Sequence, residues 1–201
     1  MSGLPGGSIE PYKLEVFMQC HAATLAWNRA FAKLMTLPPA ETGGMIVHGF
    51  SAIGDLQAFL VAAGILSDLF FPDSERADTS RGQALCTLYG VKPDSPLTAK
   101  KVRNSFVHVD ERLDKWLRVH AGKAVGPFAI QHLDGPAPTT AQSSHLRIVD
   151  TKNWRVMVRG DLVDLLPLLR EIGRIGAAFP LEVDGPGGKV LVRLEGVHVE
   201  S

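Results

Sequence analysis

The stretch Met45–Phe71 constrains this chain more than any other. Val47, Phe50, Leu56, Phe59, Leu60, Ala63, Leu69 and Phe70 recur at three- and four-residue spacings, and Pro72 closes the run. That period belongs to a helix, and Pro lacks the amide that would continue it. So much apolar surface on one helix calls for neighbours on more than one side. His48, Ser51 and Asp55, also three and four apart, draw a small polar line along it. The segment before it, Tyr12–Met35, is the natural first neighbour. Leu14, Phe17, Met18, Leu25, Phe31 and Leu34 give it an apolar side, and Leu37-Pro38-Pro39 ends it because a residue before proline is pushed out of the helical region.

The remaining segments extend the bundle and then change character. Ser80–Val91 reads as a short helix on Ala84, Leu85 and Leu88, closed by Gly90, a residue that accepts positive φ. Ser95 and Pro96 fit an N-cap and first helical position, opening a helix that runs through residues 101–117, with Val102, Phe106, Leu113, Trp116 and Leu117 as its apolar stripe. Past Gly122, Phe128–Leu133 alternates as a short strand. Asp134–Ser144 is rich in Gly, Pro, Ser and Thr and reads as an exposed, mobile loop. Leu146–Val149 and Trp154–Val158 flank the polar turn Asp150-Thr151-Lys152-Asn153, a hairpin. Asp161 is expected to cap a helix from about Leu162 to Phe179, with Pro167 marking a bend or a start nearer Leu165. Lys189–Val199 is expected to be a terminal strand. The fold class is therefore mainly α, an antiparallel helical bundle with a small appended β-hairpin or sheet. Residues 12–179 form the helical domain, with the β insertion at about 125–159, and residues 180–201 form a terminal strand and tail.

Charge and cysteine content narrow the function. Lys+Arg and Asp+Glu both number 21, so no global positive field grips nucleic acid, and an anionic ligand needs a local patch. Cys20 and Cys86 make neither a disulfide framework nor a zinc site and read as buried thiols. The Gly/Pro-rich start lacks the pattern of a signal peptide, and no apolar stretch is taken as long enough for a membrane span. A soluble, cytoplasmic protein is the expectation.

The chemistry concentrates at residues 100–112. Lys100, Lys101, Arg103, Asn104, His108, Glu111 and Arg112 crowd into a few turns, and Asn104 and His108, four apart, share a helix face. Arg103-Asn104-Ser105-Phe106-Val107-His108 resembles the signature of the HEPN superfamily, whose ribonuclease members carry Arg, four to six residues and His, with a polar residue such as Asn after the Arg. The apolar Phe-Val within the motif, its place after about three helices and the continuation Asp110-Glu111-Arg112-Leu113-Asp114 strengthen the likeness, which covers roughly residues 12–120 and 162–179.

The resemblance implies a HEPN-like bundle and a metal-independent endoribonuclease in which the ribose 2′-hydroxyl attacks the adjacent phosphate. His108 would act as acid or base, Arg103 as phosphate clamp, and Asn104 would orient the substrate or the imidazole. It also implies a homodimer whose two motifs share a cleft, with Lys100 and Lys101 adding to its positive charge. His48 and Ser51 would border that cleft. A toxin or phage-defence role, with an antitoxin or regulatory protein as partner, follows from family habit. One departure stands out: toxin members that are silenced by modification carry Tyr two residues after the His, and here that position is Asp110.

Other readings remain open. His108 could pair with Asp110, Glu111 or Asp114 on a helix surface, and Arg103 could be a solvated neighbour of Lys100 and Lys101. His48, Ser51 and Asp55 sit on one helix, which does not supply the strained serine of acyl chemistry, so a polar seam is the simpler account. The scattered histidines lack metal-ligand spacing, and no cofactor is implied. The alternative function is a non-catalytic HEPN-like module that binds a protein or nucleotide partner, or a helical regulator that holds its partner with the C-terminal sheet.

Overall fold

The computed structural model describes residues 9–37, 44–72, 79–98, 109–121, 126, 128–133, 145–158, 161–178, 181–185 and 188–192; for 44–48, 109–112 and the last two segments it describes the backbone. The fold is mainly helical with a small four-stranded sheet appended. Its frame is an antiparallel pair, α1 (Glu10–Met35) and α2 (Gly44–Phe70). α1 begins with Glu10 and Pro11 in its first turn and ends with Lys33 in its last, the charge order that complements a helix dipole. Thr36 Oγ1 donates to the carbonyl of Ala32 at 2.8 Å and occupies one of the orphan acceptors of that last turn.

The core forms where α1 meets α2 and α5 (Leu165–Ala178). Val16, Cys20, Ala23, Trp27, Ala30 and Leu34 follow the helical period on one side of α1 and are all buried. They meet Leu56, Phe59, Leu66 and Phe70 of α2 and Leu165, Leu169, Ile172 and Ile175 of α5. Trp27 lies in this core, 5.7 Å from Phe59 between ring centroids. α2 is apolar around much of its circumference, as its sequence requires. Contrary to the sequence expectation, its Gly49–Phe70 portion is long and apolar enough to cross a membrane, with mean hydropathy 1.6; 56% of that window is buried within the protein itself.

α3 (Thr79–Tyr89) packs on the end of α2. Gly82 makes this approach possible, since a Cβ there would lie 2.5 Å from Pro72 Cδ and 2.7 Å from the carbonyl of Phe70. Gly90 takes φ +62°, and the amide of Val91 reaches back to the carbonyl of Cys86 at 2.9 Å, closing α3 where the sequence placed its end. Ser95 and Pro96 start a 3₁₀ turn, Pro96–Thr98, with the Leu97 amide donating to Ser95 Oγ at 3.4 Å. α4 (Val109–Val119) carries the second half of the helix expected over 101–117; residues 101–108 lie outside the described residues.

The sheet has the order β1-β2-β3-β4: Ala129–Gln131, Arg147–Asp150, Arg155–Val158 and Asp161–Asp164. β1 and β2 are parallel, with Ala129 opposite Ile148. β2–β3 is the expected hairpin, pairing Ile148 with Met157. β3–β4 is antiparallel and corrects the expectation that Asp161 caps a helix: Asp161–Asp164 is a strand, Val163 pairs with Val156, and the helix starts at Leu165. Pro167 therefore falls in the first turn of α5, where its missing amide costs nothing. The sheet docks through aromatic contacts. Trp154 lies 5.4 Å from Trp27 and 5.1 Å from Phe31, and Phe128 lies 4.9 Å from Phe50.

Near the C-terminus, β5 (Leu181–Gly185) and β6 (Gly188–Val192) form a separate antiparallel hairpin. The expected terminal strand over 189–199 is thus the second strand of a hairpin as far as Val192; residues 193–201 and the loop at 134–144 lie outside the described residues.

Candidate functional site

α4 follows His108 directly in sequence. The motif residues Arg103, Asn104 and His108, with Lys100 and Lys101, lie outside the described residues, and so does the side chain of His48. From Leu113 onward α4 divides its residues unevenly. Asp114, Lys115, Arg118 and Val119 are exposed, while Trp116 and His120 are buried. The stripe expected to include Leu113 and Leu117 is corrected here: both are more than a third exposed, and Trp116 alone of the three is in the interior.

His120 was one of the scattered histidines in the sequence. Its ring stacks on Trp116 with centroids 5.0 Å apart, and Nδ1 lies 3.0 Å from the carbonyl of Trp116, one turn back. This is a satisfied interior imidazole that fixes the end of α4, and the spacing of Trp116 and His120 at i and i+4 was the available signal.

The polar line on α2 faces α1. Lys33 Nζ donates to Ser51 Oγ at 2.6 Å and to Asp55 Oδ2 at 2.5 Å, and Arg29 Nε donates to Asp55 Oδ1 at 3.2 Å. Ser51 is exposed, its hydroxyl accepts a hydrogen bond from Lys33, and Asp55 balances two cations. The arrangement ties the two helices together. Among the described residues no three His, Cys, Asp or Glu side chains are grouped to hold a metal ion.

A second polar feature escaped the sequence reading. Gly90, Lys92, Asp94, Ser95, Pro96, Glu171 and Arg174 line an open cleft of about 410 Å³ between the α3 exit and α5. Arg174 donates to Glu171 Oε2 at 2.8 Å and Oε1 at 2.9 Å, and its third nitrogen caps α3 at the carbonyl of Tyr89, also 2.8 Å. Ser95 Oγ donates to the same carboxylate at 3.1 Å. The Arg174 hydrogen bonds hold Glu171 below the usual carboxylate range against the opposing effect of burial. Glu171 in turn raises Arg174. Arg174, Glu171 and Ser95 are engaged with one another and with the Tyr89 carbonyl, so they lock the 90–98 segment to α5.

The fold and these features define a mainly helical protein with a small docked sheet. No family model, no curated protein and no solved structure matches the chain.

Proposed function

We propose that the chain is a metal-independent endoribonuclease of the HEPN type. The observation that carries the reading is the run Arg103-Asn104-Ser105-Phe106-Val107-His108 leading straight into α4. Support comes from its setting: a helix that exposes Asp114, Lys115 and Arg118, in a mainly helical bundle, after three longer or equal helices.

In this reading the 2′-oxygen of a ribose forms a bond to the adjacent phosphorus as the bond to the 5′-oxygen breaks, leaving a 2′,3′-cyclic phosphate and a 5′-hydroxyl. His108 takes the 2′-hydroxyl proton or protonates the leaving oxygen, a task suited to an imidazole near neutral pH. Arg103 stabilises the charge that builds on the non-bridging oxygens through paired donors, and Asn104 orients the substrate or the imidazole. Lys100 and Lys101 supply the local positive charge that the neutral chain lacks as a whole. RNA is the substrate, a second copy completes the cleft, and a toxin or phage-defence setting with a regulatory partner is part of the proposal.

The test is incubation of the purified chain with mixed RNA in excess chelator, with product ends mapped. Cyclic phosphate ends are expected, with a loss of roughly a hundredfold or more in His108→Ala and Arg103→Ala while far-UV circular dichroism is unchanged. Intact RNA at high enzyme concentration refutes the nuclease and favours a non-catalytic module that binds a protein or nucleotide partner.

A further inference from the structure

We infer that the interior of the bundle binds one water molecule on α1, held by Thr24, Trp27 and Asn28. The inference is independent of the nuclease reading. Thr24 and Trp27 are 5% and 1% exposed, and Asn28 is half-buried with its Oδ1 sealed from solvent. Thr24 Oγ1, Trp27 Nε1 and Asn28 Oδ1 have no hydrogen-bond partner among the described residues. A buried donor or acceptor left unmet costs more than an ordinary hydrogen bond contributes, so such groups are few in a folded protein. Here three fall within five residues of one helix.

Helix geometry brings them together. Positions 24, 27 and 28 stand at i, i+3 and i+4 and share a face. Long side chains on a helix lean back over the i−3 and i−4 positions, so Trp27 and Asn28 both lean toward Thr24. The conformation of Thr24 is itself informative. Thr36 Oγ1 and Thr87 Oγ1 donate to the carbonyls four residues back, those of Ala32 and Gln83, at 2.8 and 2.9 Å. That is the local bond open to a helical threonine. Thr24 Oγ1 makes no such bond to the carbonyl of Cys20. The face looks toward the docked sheet, where Trp27 meets Trp154 edge-on at 5.4 Å.

The three groups define the ligand by what each needs. An indole N–H only donates, an amide oxygen only accepts, and a hydroxyl does either. A bare anion does not serve Asn28 Oδ1, and a metal ion does not serve Trp27 Nε1. Water serves both: it accepts from Trp27, donates to Asn28 and does either with Thr24. Interior waters typically make about three hydrogen bonds, to groups otherwise unmet.

Thr24→Val tests the inference by the sign of its effect, since valine keeps the branched shape and lacks the hydroxyl. With water bound, the variant leaves it one partner short, and the unfolding equilibrium constant in urea at pH 7 is expected to rise roughly five- to tenfold. With the hydroxyl simply unmet, the replacement removes a buried polar atom at no loss, and the constant falls. The second measurement is water-selective NOE and ROE spectroscopy on the Trp27 indole N–H, assigned among the chain's three tryptophans through backbone connectivities. A cross-peak to water of opposite sign in the two experiments, the mark of a long-lived contact as distinct from proton exchange, is expected in the parent protein. A Thr24→Val protein as stable as the parent or more so overturns the inference. So does an indole N–H without that cross-peak, which leaves the ring face of Trp154 as its only company.

Discussion

Replacing Asp150 with Asn tests the most heavily bonded side chain of the sheet. Asp150 is 2% exposed and sits at the start of the β2–β3 turn. Its Oδ1 accepts from the amides of Leu133, Lys152 and Asn153 at 3.3, 3.1 and 3.2 Å. Its Oδ2 accepts from Asn153 Nδ2 at 2.9 Å and from Arg155 Nε and Nη2 at 3.2 and 2.7 Å. Burial alone would push the carboxyl up, but the hydrogen bonds of Asn153 and Arg155, joined by the backbone amides, outweigh it and bring the pKa down to about 2. The folded value is depressed, so the ionised group contributes stability above its unfolded pKa near 4, and that contribution fades as pH falls through the folded value. The shift corresponds to about 2 kcal/mol at pH 7, about half of which remains at pH 3 and little at pH 2. Asp150→Asn keeps the shape, removes the charge and leaves Arg155 half-satisfied, for an expected loss of about 2–3 kcal/mol at pH 7. Urea titrations of both proteins at pH 7, 4, 3 and 2 are the assay. Curves that converge toward pH 2 support the reasoning, and a difference that stays constant with pH, or is below about 0.5 kcal/mol at pH 7, refutes it.

Four further outcomes are expected. Gly82→Ala should cost about 1–3 kcal/mol in urea unfolding, because the new methyl must displace Pro72 or the backbone of Phe70. Gly54→Ala, by contrast, should raise stability by about 0.5–1 kcal/mol, since its Cβ meets nothing within 4 Å and alanine is the better helix former. Trp154→Ala should lose about 3–5 kcal/mol through its contacts with Trp27 and Phe31. Trp154→Gly should be no worse, because Trp154 holds φ +49° and glycine relieves that strain. Burial pushes the Cys20 thiol up to about 12, so at pH 8 a thiol-disulfide reagent should label Cys86 first and reach Cys20 only at the rate of unfolding, read by mass spectrometry.

The parts of this fold that were legible are those encoded within a few residues. The two long helices announce themselves by period, Gly90 by its place after Tyr89, and the β2–β3 turn by Asp150-Thr151-Lys152-Asn153. β4 was misread because Leu162 and Leu165 fit a helical stripe as readily as a strand edge. The strand is chosen by pairing with β3, which no local pattern of Asp161–Asp164 records. The parallel β1–β2 contact and the edge-on contact of Trp154 with Trp27 join residues far apart in sequence, beyond the reach of any local period. The candidate site was legible only as a spacing of residue types: Arg103, Asn104 and His108 stand on the sequence, while the buried pair Trp116–His120 emerged from the structure.

α1 and α2 pose the same question and answer it differently. Both are apolar beyond what one buried face requires. For α2 the excess is largely spent inside: α1 covers one side, α3 its end and α5 the core behind it, while Phe128 closes on Gly49 and Phe50. A helix this apolar can therefore belong to the interior of the bundle, without a bilayer to account for it. α1 has a second neighbour too, since α5 packs along its buried side, yet Leu14, Met18, Leu25 and Met35 stay exposed on the other. These four lie on the side of α1 opposite Val16, Cys20, Ala23 and Trp27. The two helices thus divide their apolar surface differently: α2 spends it around much of its circumference, and α1 splits it between the core and its exposed side.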